Sequence, residues 1–287
     1  MNKGSIALAA VLVLTSITAA PAAPANTCYD AVKQGKFHDA IVICSQEIKS
    51  GSSEKDITAA YRYRGIAYLA TGEPDPAIAD LSIAIERDAT DASSYSNRGM
   101  AYMAKQLFSL AIADLDKAVE LNPKDAVAYK NRGAAYMGKG EPDRAVADLS
   151  KALELNPKDD EAWNDRGAAY LAKGKTDQAA ADFTRAIQLD PKNDEPFRNR
   201  AAAYLAAGKF DAAKTDLNKA VELDPADSRG YYNMACLYSL QKKVNESCSW
   251  LQKAIDHGYN NWDHMKKDSD LDNVRSAECY QQIKKGQ

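Results

Sequence analysis

The stretch NRGAAYMGKG at residues 131–140 decides the fold, because the chain repeats it at a fixed interval. Close copies are NRGMAYMAKQ at 97–106, DRGAAYLAKG at 165–174 and NRAAAYLAAG at 199–208, each displaced by 34 residues from its neighbour. Self-similarity at a period of roughly 20–50 residues indicates stacked structural units rather than one globular core. Alanine is abundant and β-branched residues are sparse, so the units are expected to be helical.

Two sets of regularly spaced residues predict a pair of helices in each unit. In the first helix, an aromatic residue, a small residue and a tyrosine stand at i, i+4 and i+7, which places them on one helical face. The second helix has a small residue, a large apolar residue and an alanine at the same spacing. These sets run from Tyr61/Gly65/Tyr68 to Tyr231/Ala235/Tyr238, and from Ala77/Leu81/Ala84 to Ser247/Leu251/Ala254. Prolines such as Pro123 and Pro157 then prevent each second helix from continuing.

The period, the spacing of small residue and tyrosine, and the terminal proline closely resemble those of the tetratricopeptide repeat family. The resemblance implies an all-α fold, a right-handed superhelical solenoid whose first helices line a concave groove. We assign 26–57 to a degenerate first repeat, 58–261 to six repeats and 262–287 to a C-terminal helical cap. SGSS at 50–53 holds a three-residue insertion. The cap is expected to face inward through Trp262, Leu271, Val274 and Tyr280.

Residues 1–25 are predicted to be a secretory signal peptide. A lysine near the start, an apolar run at 6–17 and small residues with prolines follow one another in the order of such peptides. Cleavage is favoured after Ala25. The alternatives are an uncleaved anchor, although the run is shorter than the ~20 apolar residues of a spanning helix, and lipidation of Cys28. The mature chain is therefore expected to be periplasmic or secreted in a bacterium, with no integral membrane segment.

An arginine interrupts the apolar face of five first helices, and an aspartate follows it 16 residues later each time. The two charges disappear together in the last repeat, where Met234 and Trp250 replace them. Reflection about the intervening turn places both side chains at similar heights on antiparallel helices, so we predict structural ion pairs. The alternative is an arginine ladder for phosphate or carboxylate ligands. The predicted pairs are Arg64–Asp80, Arg98–Asp114, Arg132–Asp148, Arg166–Asp182 and Arg200–Asp216.

The five cysteines suggest two disulfides and one free thiol in an exported chain. Cys28 and Cys44 flank the first turn at nearly mirror-image positions, so we predict a bond between them. Cys248 and Cys279 are the second predicted pair, since the terminal helix is expected to pack beside the last repeat. Cys236 is then left free. No metal site is expected, because the chain has no CxxC motif and only three histidines.

A second stripe on each first helix is expected to line the groove and to contact a partner. It begins three residues before the small residue and continues at i+4 and i+7. Small and flexible apolar residues dominate it, and methionine adapts to varied ligands; its cations favour acidic residues in the ligand. The alternative is that the neighbouring repeat covers part of this stripe. The predicted members are Arg62, Lys130, Arg198, Met100, Met103 and Met137.

An asparagine column lies next to this stripe, with Tyr63 and Asp165 as departures from it. An asparagine amide can pair with both the N–H and the C=O groups of an extended peptide. The column resembles the asparagine ladder in the repeat region of O-linked N-acetylglucosamine transferase, which implies binding of a peptide backbone. The alternative is a plain polar residue at the rim. The predicted members are Asn97, Asn131, Asn199 and Asn233.

On these grounds the chain is predicted to be an exported scaffold that binds an extended peptide or a partner helix. A net charge of -3 gives no basic face for nucleic acid or an anionic membrane. The motifs of serine hydrolases, phosphate-binding loops and zinc proteases do not occur, so neither catalysis nor a cofactor is expected. The alternatives are a peptidoglycan- or polysaccharide-associated assembly factor and an enzyme of unknown type.

Overall fold

A computed structural model describes residues 27–50 and 53–285. The predicted signal peptide and residues 51–52 of the predicted insertion lie outside the described residues. Within the described ranges all regular structure is helical, with no strand. The all-α prediction is therefore confirmed, and within each of two compact units consecutive helices pack in the manner of a tetratricopeptide solenoid.

The described residues up to Asn156 form one compact unit, and those from Pro157 form a second. The helices of the first unit are α1 (Cys28–Lys33), α2 (Phe37–Lys49), α3 (Glu54–Ala70), α4 (Pro74–Arg87), α5 (Ala92–Ala104), α6 (Phe108–Leu121), α7 (Ala126–Lys139) and α8 (Pro142–Leu155). The helices of the second unit are α9 (Asp160–Ala172), α10 (Thr176–Leu189), α11 (Glu195–Ala206), α12 (Phe210–Leu223), α13 (Ser228–Leu240), α14 (Val244–Asp256), α15 (Trp262–Lys267) and α16 (Glu278–Lys285), with a 3-10 turn at Ser269–Leu271. Odd-numbered helices up to α13 are the first helices of the pairs.

Local sequence signals fix where the first helices begin and end. The carboxylate of Asp125 accepts hydrogen bonds from the backbone N–H groups of Val127 and Ala128, which otherwise have no partner at a helix start. At the other end, Gly140 adopts the left-handed conformation (φ 82°) and ends α7. Gln106 (φ 59°) and Lys242 (φ 61°) take the same conformation without being glycine, so this turn geometry belongs to the repeat and does not require glycine.

The small residues of the first helices allow the paired helix to approach closely. A Cβ atom added to Gly99 would lie 2.8 Å from Cγ of Leu115, and one added to Gly167 would lie 2.6 Å from the ring of Phe183. Both Leu115 and Phe183 are fully buried. Each large residue therefore fills the space that the opposite small residue leaves, which joins the two helices of a pair into one packed unit.

The two predicted cysteine pairs lie at bonding distance. Cys28 of α1 is bonded to Cys44 of α2, and Cys248 of α14 to Cys279 of α16. Cys236 is a buried free thiol.

In the C-terminal segment, Leu271 and Val274 are fully buried, as expected of a cap. Of the other two residues predicted to face inward from the cap, Tyr280 is buried and Trp262 is only half-buried. Among the residues described, no helix is both long and apolar enough to cross a lipid bilayer.

Candidate functional site

Each of the five arginines predicted to form a structural ion pair makes a two-pronged contact with the aspartate of its own repeat. Arg98 donates from Nε and Nη2 to the two carboxylate oxygens of Asp114, at 2.7 and 2.8 Å. The aspartates are between 4% and 7% exposed. Hydrogen bonds to Asp148 raise the pKa of Arg132. Because the carboxylate occupies two of the guanidinium donors, an open arginine ladder for anionic ligands has little support.

The third guanidinium nitrogen, Nη1, links neighbouring repeats, a contact that the sequence analysis did not predict. Nη1 of Arg98 donates to the Ser82 hydroxyl at 2.9 Å, and Nη1 of Arg200 donates to that of Thr184 at the same distance. A signal for this contact exists in the sequence, since a short polar residue stands two positions after most of the aspartates. The equivalent acceptors for Arg64 and Arg132 are Ser45 and Asp116. These four arginines therefore join a repeat both internally and to its predecessor.

The stripe expected to contact a partner is largely used for packing between repeats, so we call it the forward stripe. On α3 its first residue, Arg62, binds Asp91, the aspartate that caps α5, at 3.1 Å. Further along α3, Leu69 is buried in a cluster with Ala101 of α5. Coverage by the neighbouring repeat, the alternative left open by the sequence, is thus what the structure shows for α3.

Three residues that were predicted to contact a ligand in the groove are buried in the protein instead. Arg198 is 5% exposed and its Nη1 donates to Asp194 and, at 2.7 Å, to Asp227. Its charge is therefore compensated inside the protein and does not attract an acidic ligand. Lys130 and Met103 are also buried. Met100 and Met137 remain half-buried, as does Arg62.

All four predicted asparagines are half-buried, but their amides have different environments. Asn97 donates from Nδ2 to the Ser93 carbonyl oxygen one turn earlier, at 2.8 Å. Nδ2 of Asn131 is enclosed and has no hydrogen-bond partner among the described residues. In the second unit, Nδ2 of Asn199 donates to Oδ1 of the buried Asn164 at 2.9 Å. Asn199 is thus part of the internal network of that unit, whereas Asn131 retains an unused donor.

An exposed tyrosine of α1, which the sequence analysis did not single out, packs against the first member of the asparagine column. The ring centroids of Tyr29 and Tyr63 are 5.4 Å apart, and Tyr29 is 49% exposed. Tyr29 stands six residues before the turn glycine Gly35, whereas Tyr63 stands nine before Gly72. Because of the three-residue insertion, Tyr29 is therefore not a member of the column and takes the position of Ile66 on the forward stripe.

The C-terminal segment covers the forward stripe of α13, which no further repeat follows. The Tyr232 hydroxyl donates to Asp268 at 2.6 Å, and the Asn273 amide donates to the Ser239 carbonyl oxygen at 3.0 Å. Burial raises the pKa of both Tyr232 and Cys236 on this stripe. Asp268 also caps the 3-10 turn, so it takes the place that Asp91 has at the start of α5. The stripe of α13 is closed by the chain itself.

Comparisons with known proteins agree with this architecture. The sequence profile of a family described as "Cilia and flagella-associated protein 70 C-terminal domain" matches residues 29–271. The fold is similar to that of MamA, with 27% sequence identity and a TM-score of 0.52 over 56% of this chain and 94% of MamA. None of the curated proteins matches the chain in sequence.

Two further solved structures show the same tetratricopeptide fold. A tetratricopeptide repeat protein from Parabacteroides merdae is 20% identical, with a TM-score of 0.66 over 86% of this chain and 95% of its own. YrrB, described as "a TPR protein with an unusual peptide-binding site", is 23% identical, with a TM-score of 0.53 over 65% of this chain and 95% of its own. At these identities the similarity extends to the fold alone.

Proposed function

We propose that this chain, which belongs to the family of the cilia and flagella-associated protein 70 C-terminal domain, is a non-enzymatic scaffold that binds an extended peptide segment. The segment lies along the first helices of the first unit, over Asn97 and Asn131. The observation that carries the proposal is the Asn131 amide, which is enclosed without a partner on this half-buried column. An unpaired buried amide costs roughly 1–3 kcal/mol, and rotation toward a peptide carbonyl relieves that cost.

The chemistry around these asparagines suits a peptide backbone with apolar side chains. Neighbouring first helices in such stacks lie about 8–10 Å apart, and an extended chain rises about 3.3 Å per residue. One repeat therefore spans about three peptide residues, so Asn97 and Asn131 contact backbone groups three residues apart. Met100 and Met137 are half-buried on the adjoining stripe and offer adaptable apolar contacts between those points.

We further propose that the scaffold works outside the cytoplasm, in the periplasm or after secretion. Two cysteine pairs at bonding distance support an oxidising compartment. The polysaccharide-binding alternative would use an accessible aromatic side chain such as Trp163, but this side chain makes contacts within the protein. The Trp163 indole donates to the Pro157 carbonyl oxygen at 3.1 Å, and the Arg166 guanidinium lies 4.7 Å from its ring.

Asn97→Ala combined with Asn131→Ala is expected to weaken peptide binding by about tenfold or more, since each lost hydrogen bond contributes about 0.5–1.5 kcal/mol. The ligands are peptides selected from a random display library against the full chain, and affinity is measured by fluorescence anisotropy. Asn199 stays unchanged because its removal would take away the donor to Oδ1 of the buried Asn164.

The matched control is Asn245→Ala, which changes an exposed asparagine on the second helix α14. The control is expected to bind the selected peptides like the unchanged chain. The double variant is expected to melt at the same temperature as the control. Equal affinity of the double variant and the control would show that the asparagine column does not hold the peptide.

A further inference from the structure

The two disulfides of this chain have different surroundings. In the N-terminal disulfide, Cys28 and Cys44 are 1% and 0% exposed and lie in a packed cluster with Ala60 of α3. In the C-terminal disulfide, Cys248 is 6% exposed and Cys279 of α16 is half-buried. The N-terminal disulfide is therefore enclosed by the first unit, whereas the C-terminal disulfide lies near the surface of the second.

An open cleft of about 480 Å³ leads to the C-terminal disulfide, and both of its cysteines line this cleft. The other lining residues are uncharged, and Asn245, Ser249 and Gln282 among them are exposed. A thiolate that enters the cleft therefore meets no carboxylate in the lining. Because Cys279 is the more exposed of the two cysteines, its sulfur is the expected point of attack. Exposed disulfides are typically the labile ones, whereas structural disulfides resist reduction.

Apart from the disulfide, apolar packing attaches α16 to the rest of the second unit. Tyr280 is buried, and Ile283 packs half-buried against the core of that unit. The Gln281 amide donates to the Arg275 carbonyl oxygen, which precedes α16. Among the described residues, no hydrogen bond or ion pair joins α16 to α14 or to another repeat helix. A helix of eight residues is marginally stable by itself, so the position of α16 depends strongly on the disulfide.

The part of the C-terminal segment that precedes α16 has its own attachments. Leu271 is fully buried. The Asn273 amide donates to the Ser239 carbonyl oxygen, and Asp268 accepts a hydrogen bond from the Tyr232 hydroxyl. Opening of the C-terminal disulfide is therefore expected to free α16 and to leave the preceding residues on α13.

We infer that the C-terminal disulfide is a redox switch that controls the attachment of α16 to α14, and that a dithiol opens it. A thiolate of the dithiol attacks the Cys279 sulfur, forms a mixed disulfide and releases Cys248 as a thiolate. The second thiol then attacks the mixed disulfide, releases Cys279 and closes the dithiol into its own disulfide. Two electrons and two protons pass from the dithiol to the two cysteines. This switch does not depend on the asparagine column and goes beyond the proposed function.

The first test compares the reduction rates of the two disulfides in the folded full chain. Dithiothreitol is added at constant pH, samples are quenched with acid, and thiols are alkylated after unfolding and located by peptide mass spectrometry. Cys236, which is free throughout, serves as the reference for complete alkylation. Thiols at Cys248 and Cys279 are expected to appear at least about tenfold faster than those of the N-terminal disulfide. Equal rates, or earlier reduction of the N-terminal disulfide, would overturn the inference.

The second test measures the release of α16 by amide hydrogen exchange. Under conditions that reduce only the C-terminal disulfide, the amides of α16 are expected to exchange at least about tenfold faster, because the cross-link no longer limits local opening. The amides of residues 262–274 are expected to keep their rates. If the protection of α16 is unchanged after reduction, the disulfide does not control its attachment and the inference fails.

Two variants separate the loss of the bond from other effects of the reductant. Cys248→Ser combined with Cys279→Ser is expected to show the fast exchange of α16 without reductant, and no further change when dithiothreitol is added. The matched control is Ser249→Ala, which changes an exposed residue of the cleft lining and is expected to respond to dithiothreitol like the unchanged chain. A double variant that keeps the slow exchange of the oxidised chain would also overturn the inference.

Discussion

Asp114→Ala is expected to lower the free energy of unfolding by about 3 kcal/mol, because it leaves the Arg98 guanidinium without its main partner inside the protein. The Asp114 side chain is 10% exposed and that of Arg98 18%, so the effect is expected at the lower end of the range for broken buried pairs. The measurement is urea unfolding followed by circular dichroism.

Two further variants show whether the loss arises from the unpaired charge. Arg98→Met with Asp114→Leu removes both charges and is expected to be less destabilising than Asp114→Ala alone, since apolar replacements of similar volume are often neutral. The last repeat tolerates Met234 and Trp250 at the same positions. Asp75→Ala breaks the exposed pair with Lys105 and is expected to change stability by only about 0–1 kcal/mol. An Asp114→Ala effect as small as that of Asp75→Ala would contradict the structural role of the pairs.

Phe183→Ala is expected to lower the free energy of unfolding by about 3–5 kcal/mol, the usual cost of truncating a fully buried aromatic residue. Phe183 is fully buried against Gly167, which leaves room for its ring. Gly167→Ala is expected to destabilise by about 1–3 kcal/mol through overpacking, although alanine favours the helix.

A compensating change tests whether the small residue of the first helix limits the size of the residue that faces it. The next repeat has Ala201 and Leu217 at the equivalent positions, and both are fully buried there. Adding Phe183→Leu to Gly167→Ala is therefore expected to recover most of the stability lost by Gly167→Ala. If the double variant is less stable than Gly167→Ala, the close approach of the two helices at this point does not limit residue size.

The helical fold was predictable from the sequence because its determinants recur at a fixed interval. The small residue, the large residue that faces it and the paired charges each appear in several repeats, so the repeats of one chain can be compared with one another. The features that periodicity does not encode were harder to predict. The burial of Arg198 depends on the aspartate that begins the next first helix, Asp227, and this contact becomes visible only once the repeats are stacked.

The same limit applies to the candidate sites. The asparagine column was visible as a pattern, but the hydrogen bonds that separate Asn131 from Asn199 were not. The contact of Tyr29 with Tyr63 was not predicted, because α1 has only six residues and does not show the repeat pattern. The coverage of Tyr232 by Asp268 joins residues 36 positions apart, an interval outside the period, so no column of the sequence indicated it.

The most direct test of the proposed peptide-binding function is a methyl spectrum of the chain labelled at its six methionines. On addition of a peptide selected from the display library, the methyl resonances of Met100 and Met137 are expected to shift. Those of Met234 and Met265, which are buried in the core of the second unit, are expected to stay in place. Peptide binding that leaves Met100 and Met137 unchanged would contradict the proposal that the first helices of the first unit hold the ligand.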